Sequence, residues 1–415
     1  MSAVAVHSAP AATGPDRIAR IRAVNRMIGN AALAVGVLLL GFVMSEPAPY
    51  ELYMAGLIAA ALPFGLRLGR TSLALMALFV VFNVGGLISM LQMPALKDAP
   101  LYVAVSLFLA MTAVFYAAVI ESDHRRLATI FNAYVAVGAV SALLGIVGYF
   151  HLLPGSDVFT RYGRAQGAFR DPNVYGPFLI LPFTWCLLRV LKGALRLYLP
   201  LCCLLALGVL FSFSRAAWAM MPLSYLVLVG TLFLQSDSPR YRFRLAATSV
   251  LALVLVLLAV VLVLQIPGVG DFFLERAKLE QSYDSARTGR FARHWLGLLL
   301  AMQRPLGIGP LAFGPMFGED THNIWLKAAL DYGWTGFVAF LTLTALTLGL
   351  GFKLLFRNRP WQPYLLAAYA TYLGHVMIGN VIDTDHWRHF YLLFGIIWGC
   401  AGLEYKWLRR TRGAA

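Results

Sequence analysis

The stretch "EDTHNIWLKAALDYGWTG", from Glu319 to Gly336, sets two carboxylates, a histidine and an asparagine ahead of an apolar helical run. A neutral imidazole at His322 has an ordinary pKa of about 6.5 and can take a proton from a hydroxyl near neutral pH. The same residues also read as a helix start, with Thr321 or Asn323 as the cap, Gly333 as the stop and His322 merely solvated.

Arginines form the second group. Arg164 and Arg170 lie in "RYGRAQGAFRDPNVYGPFL", Arg215 in "LGVLFSFSRAAWAMMPL", and Arg287 and Arg290 in "DSARTGRFARHWLGLLLAMQRP". A guanidinium fork matches the oxygen pair of a phosphate or diphosphate and keeps its charge at any working pH. Arg215 stands between two apolar runs, where an unpaired charge costs about 2.5–3.5 kcal/mol on insertion scales. It either meets an anion or snorkels to lipid headgroups. Asp171-Pro172-Asn173 reads as a turn and helix start capped by Asp171 or Asn173, with Arg164 and Arg170 above it. For these two arginines, a surface pair with Asp171 or headgroup contact stands beside a ligand role.

A third group is "VIDTDHWRHFYLL", with Asp383, Asp385, His386, Arg388 and His389. Asp383-Thr384-Asp385 fits the loose DxD pattern that holds a divalent metal, but three residues meet it often by chance. A polar turn or an Arg388 site is the better reading. P-loop, HExxH, CxxC and nucleophile-elbow motifs are absent from the sequence.

Membrane helices must position these groups. Of 415 residues, 60% are hydrophobic and 13% charged, and a mean hydropathy of +0.72 excludes an ordinary soluble domain. Apolar segments fall at 27–44, 51–68, 71–91, 100–120, 127–150, 173–190, 195–213, 216–234, 245–265, 333–355, 361–380 and 388–404, so about twelve transmembrane helices are expected in one all-α polytopic domain over 27–404. Residues 1–26 and 405–415 read as cytoplasmic tails, the first apolar segment as an uncleaved span. The formal charge of +15 follows from cytoplasmic Lys and Arg, so nucleic acid is not implied. Cys186, Cys202, Cys203 and Cys400 all sit in apolar runs and read as packing residues.

Alternate connections are basic, from "RIARIR" to "KWLRRTR", which places both termini in the cytoplasm. Three outward places break the rule: residues 151–172, Arg215, and the long loop 266–332 with Arg276, Lys278, Arg287, Arg290, Arg293, Arg304 and Lys327. Basic residues that oppose orientation need another purpose, and binding an anion outside the membrane supplies one. In the long loop, Arg287, Arg290 and His294 share one face of an amphipathic helix, while Trp295, Leu298 and Leu299 can rest on the membrane surface.

Four pieces resemble, in order, the O-antigen polymerase and ligase superfamily: "RAQGAFRDPNVYGPFL", "FSFSRAAW", "RTGRFARHWLGLLLAMQRPLGIGP" and "HNIWLKAALDYGWTG", with "WRHFYLLFG" as a weaker fifth. The resemblance covers about residues 160–340. It implies a C-type glycosyltransferase architecture in the bacterial inner membrane, with the long loop and active site facing the periplasm. It also implies inverting transfer of a glycan from undecaprenyl diphosphate to a sugar hydroxyl and, in the ligase branch, no requirement for a metal or nucleotide cofactor. On this reading His322 is the base, Arg164, Arg215 and Arg290 hold the diphosphate, and Arg170, Asn173, Arg287, Asn323 and Arg388 are further candidates for substrate contact. Implied partners are the lipid-linked glycan, the bilayer, a chain-length regulator and a flippase.

Polymerisation, with another lipid-linked repeat as acceptor, is the first reading; ligation to lipid A core is the second. The short segment after "GIGP" leaves little room for an elaborate acceptor-binding element. A flippase for the lipid-linked glycan is the rival from another class, but it needs charge along a central cavity and shows as internal repeats, which this sequence lacks. A peptidoglycan-type polymerase would share the carrier but not the His-Asn helix.

The orientation is testable. A cysteine introduced at Ser282 should react with an impermeant thiol reagent in intact spheroplasts; reaction only after lysis would overturn the outward loop.

Overall fold

The computed structural model describes residues 14–61, 63, 65–266, 268–278 and 289–412. Arg287, Ser282 and the first part of the expected amphipathic loop helix lie outside the described residues. The fold is nearly all helix: α1 (Gly14–Leu39), α2 (Pro49–Ala61), α3 (Arg70–Met90), α4 (Ala99–Ser122), α5 (Arg126–Tyr149), α6 (Pro172–Phe178), α7 (Ile180–Leu191), α8 (Leu195–Phe211), α9 (Arg215–Gln235), α10 (Pro239–Leu264), α11 (Val269–Ala277), α12 (Arg290–Gln303), α13 (Phe313–Phe317), α14 (Ile324–Asp331), α15 (Gly333–Leu355), α16 (Gln362–Ile378) and α17 (Arg388–Arg412). Between α5 and α6, β1 (Thr160–Arg161) and β2 (Arg164–Ala165) form a small antiparallel pair.

Each of the twelve apolar segments contains helix, the sixth as α6 and α7 in succession around the Pro177 break. Among the described residues, seven spans are long and apolar enough to cross a membrane: α3, α4, α5, α6 with α7, α9, α10 and α15. The chain is therefore a multi-pass membrane protein. The remaining segments fall short of that standard for identifiable reasons. Helix α2 has 13 residues and α16 has 17, against the ~20 that cover ~30 Å of hydrocarbon, and the apolar stretch of α17 is bounded closely by Arg388 and His389 on one side and Glu404 and Lys406 on the other. Helix also invades both expected tails, starting at Gly14 and ending at Arg412.

Sequence chemistry sets the boundaries. The Asp171 carboxylate accepts from the Asn173 backbone N–H at 2.7 Å and starts α6. Ser214 and Ser238 cap α9 and α10 through their hydroxyls. Gly333, at φ +65°, is the left-handed residue that stops α14 and turns the chain into α15.

The bundle closes by close approach of helices. Gly395 and Gly399 on α17 face Tyr116, Ala117 and Ile120 of α4, and a Cβ at either position would fall 2.6 or 2.8 Å from those side chains. Small residues four apart let two backbones meet, the main source of helix attraction where no hydrophobic effect operates. Helix α10 stands aside, with only 6% of its span window buried, and presents its leucines and valines outward.

Polar residues collect at the two ends of the bundle. At one end, buried Glu121 accepts from Thr71 at 3.1 Å and Ser72 at 2.9 Å and pairs with Lys406 at 3.3 Å, while Arg359 forks onto Glu404 at 2.7 and 2.9 Å. At the other end lie the starts of α2, α4, α6, α9 and α17, the ends of α3, α5 and α16, and helices α11, α12, α13 and α14. The described residues of the three polar groups singled out above, Arg164, Arg170, Arg215, Arg290, His322, Asn323, Asp383, Asp385, His386, Arg388 and His389, lie at this second end.

Gly333 offers a direct check on this architecture. An added Cβ would lie 2.8 Å from the Leu306 carbonyl, at a φ that L side chains avoid. Gly333→Ala should cost about 1–3 kcal/mol, read as a lower thermal midpoint in detergent; an unchanged midpoint would contradict this account of the α14–α15 corner.

Candidate active site

Asn323 builds the first half of the site. Its side-chain oxygen accepts from the backbone N–H groups of Trp325 (3.0 Å) and Leu326 (3.1 Å), so it is the cap of α14, and its amide nitrogen donates to the Asn380 carbonyl at 3.0 Å. Beside it, the Ile324 N–H donates to the Gly379 carbonyl at 2.7 Å and the Trp325 indole to Asn380 Oδ1 at 3.2 Å. These bonds stitch the start of α14 to the end of α16. They carry the two flanking loops, 318–323 and 379–387, into contact.

His322 stands where those loops meet. Its Nδ1 lies 3.2 Å from Asp383 and its Nε2 3.2 Å from Glu319, with 28% of its side chain exposed. Its backbone is left-handed, φ +49°, a conformation histidine adopts more readily than most residues and one that collects at functional sites. The bond to Asp383 raises the imidazole above its ordinary pKa; burial opposes that, Glu319 adds to it and the Arg290 charge opposes it. The Asp383 side chain is 21% exposed, whereas Glu319 is 54% exposed and is also paired with Arg293, itself nearly buried on α12.

His294, one turn along α12 from Arg290, completes this cluster. Burial lowers its pKa, a backbone hydrogen bond at Thr321 raises it, and the charges of Arg290 and His322 lower it again. An open groove of about 380 Å³ adjoins it, lined by Phe291, His294, Trp295, Leu298, Asn323, Trp325 and Leu326. Trp295, Leu298 and Leu299 are exposed, while Arg293, Gly297 and Ala301 of the same helix are buried.

Beneath the loops lies a second layer of charge. Lys327 is 5% exposed, 3.2 Å from Asp320 and 3.4 Å from Asp331. Burial works against its charge, but Asp331, Asp385, Asp383 and Asp320 hold its pKa above the usual lysine value. Asp331, fully enclosed, is pushed up to about 7 by burial, against the pull of Lys327. Asp385 accepts from the Tyr102 hydroxyl at 2.5 Å and pairs with His386 at 2.8 Å. Asp383 and Asp385 therefore serve different partners.

The arginines divide among three places. Arg164, 6% exposed, donates from Nε to the Ser212 carbonyl and from Nη2 to Asn173 Oδ1, each at 2.7 Å. Arg215 follows Ser212 and the left-handed Phe213 at the start of α9, and its Nη1 reaches the Lys278 carbonyl at 3.3 Å. Arg164 thus ties Asn173 to Ser212 in the turn that leads into Arg215, and Arg290 stands with His322 and His294. Arg170 lies further out, 3.3 Å from Glu46, and Arg388 is paired with Glu51.

Sequence reading singled out His322 and Arg290 but gave Asp383 no part beside the histidine and Lys327 none beyond its charge. A signal for the latter was present: Lys327 and Asp331 are four apart in an otherwise apolar helix, one face of a turn. Nothing local could have joined Asp383 to His322.

Residues 200–341, roughly a third of the chain, match the family described as O-antigen ligase. No curated protein matches the chain. The matched span holds Arg215, Arg290, His322 and Asn323 and leaves Arg164, Asn173, Asp383 and Arg388 outside.

Arg164 is held by interior partners, so its loss should register as stability. Arg164→Ala should cost about 1.5–3 kcal/mol, the range for hydrogen bonds to a charged group, with Arg164→Lys recovering part of the thermal midpoint; a midpoint unchanged in both variants would leave Arg164 no structural role.

Proposed function

We propose, for a chain whose O-antigen ligase match supports its place in the O-antigen polymerase and ligase superfamily, that His322 is the general base of an inverting glycan transfer from undecaprenyl diphosphate to a sugar hydroxyl. The observation that carries this reading is the imidazole set between Asp383 and the more exposed Glu319, with Arg290 beside it. Transfer would take place at the periplasmic face of the inner membrane, in a chain crossing it twelve times with residues 266–332 outside.

Asp383 fixes Nδ1 as a donor, which leaves Nε2 as the working nitrogen. The acceptor hydroxyl takes the place Glu319 holds at Nε2, and Glu319 keeps Arg293. As the acceptor oxygen bonds to the anomeric carbon, its proton passes to Nε2 and the C–O bond to the diphosphate breaks, the electron pair leaving with the phosphate. One displacement inverts the anomeric centre. The new imidazolium faces Asp383, and guanidiniums of Arg290 and Arg215 meet the charge that develops on the leaving diphosphate. Arg164, bonded to Asn173 and the Ser212 carbonyl, is suited to holding the Arg215 turn as well as to facing the anion.

Polymerisation remains the preferred reading for the acceptor. Ligation to lipid A core is favoured by one observation, the description carried by the matched family. A flippase is disfavoured because the arginines proposed to meet the anion, Arg164, Arg215 and Arg290, lie at one end of the bundle rather than along its interior.

Two variants test the base. His322→Ala should lower transfer by about 10²–10⁴-fold with donor binding retained, measured as undecaprenyl diphosphate released together with glycan extended. Asp383 raises the His322 pKa, and a base works only when deprotonated, so the wild-type rate should fall as pH drops through a value above 6.5. Asp383→Asn should move that acid limb to lower pH as it reduces the maximum rate. Normal transfer by folded His322→Ala protein would end the assignment, and an unmoved limb would remove Asp383 from it.

A further inference from the structure

The two halves of the His322–Asp383 contact belong to loops far apart in the chain, and one buried cation touches the supports of both. Lys327 Nζ binds Asp320, two residues before His322, at 3.2 Å. It also sits 5.4 Å from the centre of the Tyr102 ring, whose hydroxyl donates to Asp385, two residues after Asp383. Asp385 in turn holds His386 at 2.8 Å, and the other ring nitrogen of His386 lies 3.1 Å from the Tyr102 carbonyl. A line of contacts therefore runs from the loop carrying the imidazole, through Lys327 and Tyr102, to the turn carrying its carboxylate.

We propose that Lys327 is a positioning residue for glycan transfer, tying the 318–323 loop through Asp320 and the 379–387 turn through Tyr102 and Asp385, so that His322 meets Asp383 in register. The proposal rests on the reading of His322 as the base. Geometry argues for it over a plain buried ion pair. Lys327 has a carboxylate within its own helix, Asp331, four residues on at 3.4 Å, yet its Nζ donates to Asp320 in the preceding loop at 3.2 Å. The contact to Asp320 adds nothing to α14; it restrains a loop whose neighbouring residues are the left-handed Gly318 and His322, at φ +87° and +49°. A base displaced by about 1 Å loses about two orders of magnitude in rate, so a restraint here acts on turnover. Substrate affinity, set by the arginines, is not expected to depend on it.

The Asp320 and Asp331 arms separate the two roles. With purified protein and undecaprenyl-diphosphate-linked oligosaccharide isolated from the native host's membranes, Asp320→Asn and Lys327→Met should each lower kcat about 10- to 100-fold, with the donor KM within about twofold of wild type. Asp331→Asn, which leaves the loop tie in place, should keep kcat within about threefold, and Lys327→Arg should restore part of what Lys327→Met loses. Thermal midpoints and the active fraction are measured on the same samples, and if Lys327→Met does not fold, Asp320→Asn carries the test. Unchanged kcat in Asp320→Asn protein, or losses in Asp320→Asn and Asp331→Asn that both track a falling midpoint, would overturn the positioning role. His322→Ala is run alongside: if it too transfers normally, the base assignment fails, whereas an inactive His322→Ala with a fully active Asp320→Asn defeats the role of Lys327 alone.

Discussion

A partly exposed imidazole does not choose its own orientation, and the arrangement of this end of the bundle follows from fixing one. Two carboxylates from different loops meet the two nitrogens of His322. That requires the start of α14 and the end of α16 to be held within a hydrogen bond of each other, which the Asn323, Ile324 and Trp325 contacts to Gly379 and Asn380 accomplish. It further requires α14 to stop within a few residues so that α15 can enter the membrane, and Gly333 supplies that stop. The residues that cap and end the helix are thus the residues that aim the histidine.

Charge placement follows from the cost of putting it anywhere else. An ion in hydrocarbon is expensive unless paired, so polar residues gather where helices end. At the end bearing Glu121 and Glu404 the ion pairs close on themselves and lock helices together. At the end bearing His322, the carboxylates of Glu319, Asp320, Asp383 and Asp385 are shared among Lys327, Arg293, His322 and His386, and part of the set faces outward. Helix α12 buries Arg293 and exposes Trp295, Leu298 and Leu299 at this end, the pattern of a helix suited to rest against a membrane surface.

What the sequence made legible was local. Asp171, Asn323 and Gly333 announced helix boundaries because capping depends on residue type within one turn. The twelve apolar segments showed as composition, though α2 and α16 came out too short to qualify as spans by length alone. The His-Asn helix was legible as a candidate site for the same reason. Partnership between distant residues was not. Arg164 and Arg170 look alike in sequence, yet one is buried against Ser212 and Asn173 and the other lies exposed beside Glu46. Asp383 looked like half of a metal pattern, and only the folded turn shows that it points to His322 while Asp385 points to Tyr102 and His386. Pattern identifies the groups; tertiary packing decides which face each other.

The central claim is that the anion and the imidazole share one site at this end of the molecule. The most direct measurement is an electron cryo-microscopy structure of the protein with undecaprenyl-diphosphate-linked glycan bound to a slow His322→Gln variant. The account predicts diphosphate density against Arg290 and Arg215, with the anomeric carbon turned toward residue 322 and Asp383 behind it. Diphosphate density at the opposite end, beside Lys406 and Arg410, or at this end with the anomeric carbon turned away from residue 322, would contradict it.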